Sequence, residues 1–189
     1  PIIEPILEQN GVPDDFKYLA LVESNFNTRA YSSAKAAGFW QFMPETAKQY
    51  GLEVSNGIDE RYHIEKSTEA ACRYLKDAYD RFGDWPTVAA SYNAGMQRIS
   101  SEQAMQQADG FFDMLVFDET SRYVFRILAI KEILRHPQKY GFYIRREHLY
   151  PPIGFTEVTV TGPVESWAEF AKSHGITYAQ LKDFNVWIR

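Results

Sequence analysis

The chain has 189 residues, a formal net charge of −5 and 45% apolar residues, enough for one compact domain with a small appendage. Its charges of both signs are scattered and no basic run stands out, which excludes a nucleic-acid footprint. The lone Cys72 excludes an internal disulfide, the four dispersed His (His63, His136, His148, His174) lack ligand-like spacing, and no apolar stretch is long enough to span a bilayer.

In chain order, residues 2–9 predict a short amphipathic helix closed by Asn10-Gly11. Asp14 or Asp15 is the expected cap of a second helix that ends near Glu23. Residues 25–38, rich in Asn, Ser, Ala and Gly, read as a loop. Pro44 suits the first position of a helix that stops at Gly51. Residues 52–66 read as irregular, with a turn at Asn56-Gly57. Ser67 is expected to start a helix running to Phe82, with Ala71, Tyr74, Leu75 and Ala78 on its inner face. Asp84 caps a helix from Pro86 to Asn93 that ends at Gly95. A polar helical stretch and an apolar loop, FFDMLVF, fill 96–117. A long helix follows from Glu119 to Arg135, with Val124, Ile127, Leu128, Ile130 and Leu134 inward, and His136-Pro137 stops it.

The composition changes after about residue 145. Tyr150-Pro151-Pro152 reads as a linker, and FTEVTVT at 155–161 alternates like a strand. Two short helices are expected at 165–174 and 178–184, with apolar faces from Trp167, Phe170 and Ala171, and from Leu181 and Phe184. No returning strand is evident after Asn185.

Glu23 is the residue of most chemical interest. Phe16, Leu19, Ala20 and Glu23 fall at i, i+3, i+4 and i+7 and share one helix face, so a carboxyl continues the core stripe. Burial penalises its charged form and raises its pKa, as a general acid at near-neutral pH requires. The plain alternative is a solvated or salt-bridged Glu at a helix end. Glu45 reads as a charge in the first turn of its helix, and Asp59 and Glu60 as carboxylates that either reach a cleft or, the favoured reading, serve a structural role.

Four segments then line up: Glu23-Ser24, GFWQFMP at 38–44, SYNAG at 91–95 and ETSRY at 119–123. In this order, on a helical chain, they resemble the catalytic domain of lytic transglycosylases of the soluble-Slt type. These belong to the lysozyme-like superfamily, which also holds goose-type lysozymes. The resemblance runs through residues 16–142, with Ser91 standing where Ala is usual. The stretch YGLEVSNGIDERYHIEKSTEAA and Trp40 look like the branch called membrane-bound lytic murein transglycosylase D.

The resemblance implies a mainly α, lysozyme-like domain over 1–145. Residues 146–189 would form a linker and a small appendage, LysM-like or simply packed. It implies cleavage of peptidoglycan between N-acetylmuramic acid and N-acetylglucosamine, leaving 1,6-anhydromuramoyl ends, with no cofactor and no metal. Glu23 would be the sole acid/base. Ser24, Gln41, Met43, Tyr92, Asn93 and Tyr123 would contact substrate, and Glu119 would brace the site through backbone groups. Other readings stand beside these: a helix-terminal polar residue for Ser24, core for Met43 and a C-cap for Asn93. The expected partner is the peptidoglycan glycan strand, bound by a monomer in the periplasm or cell envelope. An export signal or outer-membrane lipid anchor is expected upstream of Pro1. The rival readings are a goose-type hydrolase and a catalytically inactive glycan-binding module.

Overall fold

A computed structural model describes residues 2–151 and 153–189. Among them the chain is mainly α-helical. Helices α1 (Ile3–Gln9), α2 (Phe16–Ser24) and α3 (Pro44–Gln49) come first, followed by the long α4 (Ile64–Phe82). Then come α5 (Trp85–Ala94), α6 (Met96–Gln106), α7 (Asp118–Arg135), and the short α8 (Trp167–Ser173) and α9 (Tyr178–Phe184). No helix among the described residues is long and apolar enough to cross a membrane.

Helix α4 organises the core. Its inner face presents Ala71, Leu75 and Ala78, all fully buried, with Tyr74 beside them. Small side chains let α1 and α5 approach it closely, and α5 in turn packs on α6 and α7. Helix α2 lies against α7, and its buried stripe Phe16, Leu19 and Ala20 is the one expected from the spacing. That contact brings the C-terminal end of α2, with Glu23, to the inner side of α7.

Local signals place several boundaries. Pro44 occupies the first turn of α3, and the Asp84 carboxylate accepts from the Thr87 amide at 2.9 Å to cap α5. Gly83, at φ 77°, ends α4. Other expectations need correction. Helix α4 starts at Ile64 rather than Ser67, because the Ser67 amide already bonds the His63 carbonyl at 2.9 Å and closes a first turn. Asp15 precedes α2 without a side-chain cap; its carboxylate pairs with Lys131 and Arg135 of α7 instead. On α7 the buried positions are Thr120, Tyr123, Val124 and Ile127, with Ile130 packed at the edge, while Leu128 and Leu134 are exposed.

The strand expected at 155–161 is absent. Phe155, Val158 and Val160 are exposed and no neighbouring segment offers a ladder, without which alternation alone does not hold a strand. The linker expected at Tyr150-Pro151-Pro152 lies partly outside the described residues. Helices α8 and α9 pack on each other around Ala171 and Leu181, with Trp167 and Phe170 partly covered, but Phe184 stays exposed. After α9 the chain does return, though not onto its own unit. Ile188 forms a single antiparallel bridge with Ile58, the Asp59 amide donates to the Trp187 carbonyl at 2.8 Å, and the Arg189 amide donates to Gly57 O at 2.9 Å.

Candidate active site

Glu23 sits in the last turn of α2, partly covered. Its Oε1 accepts a hydrogen bond from the Tyr123 hydroxyl, across 100 residues of sequence. Burial raises the carboxyl pKa above its usual range, and the Tyr123 bond works against that rise. Because Tyr123 donates to Oε1, the proton of the acid form belongs on Oε2, which has no partner among the described residues. The arrangement holds the carboxyl by one oxygen and leaves the other without a protein partner among the described residues.

Tyr123 is itself buried, and its own ionisation is pushed far up by burial and then by the charge and hydrogen bond of Glu23. It therefore stays a donor. Tyr92 behaves likewise: burial and then the nearby Glu23 charge raise its pKa well above the phenol range. Its hydroxyl donates to the Trp40 carbonyl at 2.7 Å. Rings of Trp40, Phe42 and Tyr74 surround it, the Tyr74 ring edge-on at 5.1 Å. Trp40 is fully buried, with its indole N–H donating to Thr68 Oγ1 at 2.9 Å. These bonds fix the residue next to Gln41 against α4 and α5.

The segment from 25 to 43 is conformationally demanding. Asn25, Phe26, Lys35 and Gln41 all have φ between 48° and 71°, a region costly for residues with a side chain. Asn25 there is the left-handed cap of α2, its amide donating to Leu21 O at 2.8 Å. Gly38, at φ 77°, packs so closely that an added Cβ would lie 1.8 Å from the Arg61 carbonyl oxygen. Gln41 turns its amide nitrogen inward, donating to Gly38 O at 2.8 Å and Ala30 O at 3.3 Å. Its Oε1 makes no hydrogen bond among the described residues. Met43 is exposed at the end of this loop, just before α3.

The structure thus pairs Glu23 with Tyr123, sets Tyr92 near enough to feel the Glu23 charge, and ties Tyr92 to the carbonyl of Trp40, next to Gln41. Asn93 is exposed at the end of α5, and its Oδ1 accepts from Thr120 Oγ1 at 3.0 Å, which links α5 to α7. Ser24 is buried, and its hydroxyl proton is committed to Ala20 O at 3.0 Å. Glu119 is a correction. It is exposed and pairs with Arg126 at 2.9 Å rather than with backbone groups. In the first turn of α7 it projects past the core, and Thr120 takes the inward position. Thr120, Tyr123, Val124 and Ile127 fall at i, i+3, i+4 and i+7, so the helical stripe marks Thr120 once it is read from this register.

The other carboxylates named from sequence are engaged elsewhere. Glu45 is exposed and lies 3.6 Å from Lys48. Asp59 is 0% exposed and Arg61 2%, the two forming a bidentate pair with both contacts at 2.8 Å, and Arg189 closes on the same carboxylate. Glu60 accepts from the Glu53 amide at 2.8 Å and pairs with Lys66.

Comparison with known proteins identifies the family. The family model described as the transglycosylase SLT domain matches residues 1–114, which include every candidate residue except Glu119 and Tyr123. A second, the soluble lytic transglycosylase C-terminal LysM-like domain, matches residues 156–189. Membrane-bound lytic murein transglycosylase D of Escherichia coli K12 is 32% identical over 188 residues, covering 97% of this chain and 41% of that protein. The soluble lytic murein transglycosylase of Salmonella typhimurium is 30% identical over 127 residues, 62% of this chain and 20% of that one. The chain therefore spans about two fifths of the first of these relatives. Among solved structures, the 70 kDa soluble lytic transglycosylase of E. coli superposes with a TM-score of 0.59 at 24% identity, covering 72% of this chain and 24% of that one. An inactive mutant of the lytic transglycosylase Slt from Pseudomonas aeruginosa gives 0.57 at 20% identity, covering 78% and 25%. These two likenesses concern the fold, which is mainly α and lysozyme-like. By its sequence match over more than half its length, the chain belongs to the transglycosylase SLT family.

Proposed function

We propose that this chain carries a peptidoglycan lytic transglycosylase. It cleaves the β-1,4 bond between N-acetylmuramic acid and N-acetylglucosamine without water. The observation that carries the reading is the Glu23–Tyr123 pair: a carboxyl with a raised pKa, held by one oxygen, in a member of the SLT family. Glu23 acts first as acid, giving the Oε2 proton to the glycosidic oxygen as its bond to the muramoyl anomeric carbon breaks. Then, as base, it takes the proton of the muramoyl 6-hydroxyl while that oxygen bonds the same carbon and closes a 1,6-anhydro ring. The substrate supplies the nucleophile, so one carboxyl suffices, where a hydrolase ordinarily needs a second to direct water. The pairing of Glu45, Asp59 and Glu60 with Lys48, Arg61 and Lys66 supports a single acid/base.

Gln41 Oε1 and the exposed amide of Asn93 are proposed ligands for substrate acetamido groups, with Met43 an apolar wall. Tyr92 and Tyr123 act from behind, as donors that hold the loop and the acid. Ser24 is left with acceptor lone pairs only, which narrows any sugar contact to a donated bond. We also propose a catalytic unit over 1–145 and an appendage over 146–189, working as a monomer at the cell envelope, where peptidoglycan lies.

The test is mass spectrometry of muropeptides released from purified peptidoglycan by the wild type and Glu23→Gln. Products one water lighter than hydrolysis products, missing with the variant, are expected. Reducing muramic-acid ends would instead make the chain a hydrolase. Release unchanged by Glu23→Gln would remove Glu23 from the mechanism.

A further inference from the structure

Residues 187–189 touch the loop that precedes α4. Trp187, Ile188 and Arg189 lie along residues 57–59 through the Ile58–Ile188 bridge and two backbone hydrogen bonds. At the end of this contact the Arg189 guanidinium reaches Asp59. Asp59 is fully buried, and its carboxylate also takes both fork contacts of Arg61. The remaining guanidinium nitrogen of Arg61, Nη1, donates to the carbonyls of Lys35 at 2.7 Å and Phe42 at 3.0 Å. Those carbonyls flank the Gln41 turn. The Arg61 backbone closes on the same turn, since its carbonyl oxygen leaves no room for a Cβ at Gly38.

We infer that Arg189 is a positioning residue for the Gln41 turn, acting through Asp59 and Arg61. A guanidinium turned by its carboxylate partner can present only one edge to the loop, and Asp59 sets which edge. Arg189 shares that carboxylate and fixes its plane from outside. The turn needs such support, because Lys35 and Gln41 both hold left-handed backbone that relaxes when its contacts loosen. The appendage therefore acts on the site through a chain of charge-assisted hydrogen bonds, which are the stronger and more directional kind. This inference rests on the reading of Gln41 as a substrate ligand.

The test uses the full chain with Arg189→Met, Arg189→Lys, Gln41→Ala and the Gln41→Ala/Arg189→Met double variant. Arg189 is 43% exposed at its side chain and Asp59 keeps Arg61, so loss of the guanidinium leaves no buried charge unpaired. Hydrogen exchange at the amides of Ala37, Gly38, Gln41 and Phe42 should quicken in Arg189→Met and recover in Arg189→Lys. With soluble glycan strands KM should rise about 5-fold, the scale of one weakened neutral hydrogen bond. The pH profile of kcat should stay put, because the Glu23–Tyr123 pair is untouched. In the Gln41→Ala background the Arg189 effect should vanish. Unchanged exchange in Arg189→Met overturns the inference. So does an unchanged KM in Arg189→Met when Gln41→Ala alone raises it. If exchange quickens while Gln41→Ala leaves KM unchanged, the bracing stands and the reading of Gln41 falls.

Discussion

Glu23 is poised by two opposed effects. Burial disfavours its charge, while the Tyr123 hydroxyl favours it. Burial is the larger, so the net shift is upward. An acid must be protonated to act, so activity should fall as pH rises through this raised pKa. Removing the hydroxyl removes the opposing effect. Tyr123→Phe should therefore move the alkaline limb of the kcat profile to higher pH, and lower kcat itself on the order of 10-fold as the carboxyl loses its fixed orientation. A limb that moves down, or does not move, would contradict the hydrogen bond as the restraint on Glu23. Thr120 shows the same economy of contact: one hydroxyl joins α7 to Asn93 of α5 and so sets the spacing of the two helices that carry Tyr123 and Tyr92.

At the scale of elements, the turn from 37 to 42 is a small hairpin-like fold closed by reciprocal bonds between Ala37 and Phe42, at 3.1 and 3.2 Å. It is held against α4 by Trp40 and against residue 61 by Gly38. The resemblance noted from sequence places a glycine three residues before Gln41, and the structure gives its reason. Only glycine combines the left-handed backbone with a fit 1.8 Å, at the missing Cβ, from a carbonyl oxygen. Gly38→Ala should cost about 2 kcal/mol or more of stability in denaturant titration, since backbone rather than a flexible side chain must move. It should also abolish turnover even where the variant is folded. Wild-type stability in this variant would mean that the turn is not packed as described.

For the whole molecule, one buried carboxylate adds a charged anchor to the backbone pairing that docks the C-terminal segment. Burial pushes the Asp59 pKa up, but hydrogen bonds and charge from Arg61 and Arg189 outweigh it and hold the pKa below its usual 3.8. The unfolded chain has the higher, ordinary pKa. The stabilisation is therefore complete above pH 3.8 and is lost as pH falls through the lower folded value. The indole N–H resonance of Trp187, whose ring lies 5.4 Å from that of His63, should report this as an acid transition below pH 3.8. Arg189→Met should shift the transition upward. A resonance insensitive to acid down to global unfolding would show that backbone pairing alone holds the segment.

Sequence by itself determined the helical class, the inner faces of α2 and α4, the helix start at Pro44 and the cap at Asp84, and Glu23 as a carboxyl continuing a core stripe. These are local matters: side-chain period, cap chemistry and proline geometry act within a turn or two. The motif resemblance also singles out Tyr123 and Gln41. Tertiary structure alone decided the rest. Glu119 and Tyr123 share a spacing, yet only packing against α2 and α5 reveals that the second lies inside and the first in solvent. The alternation at 155–161 promised a strand, but a strand needs a partner and none lies beside it among the described residues. Nothing local distinguishes Arg61 and Arg189 from surface arginines. Their role follows from Asp59, buried between segments more than a hundred residues apart, where an unpaired charge would be costly and two guanidiniums meet it.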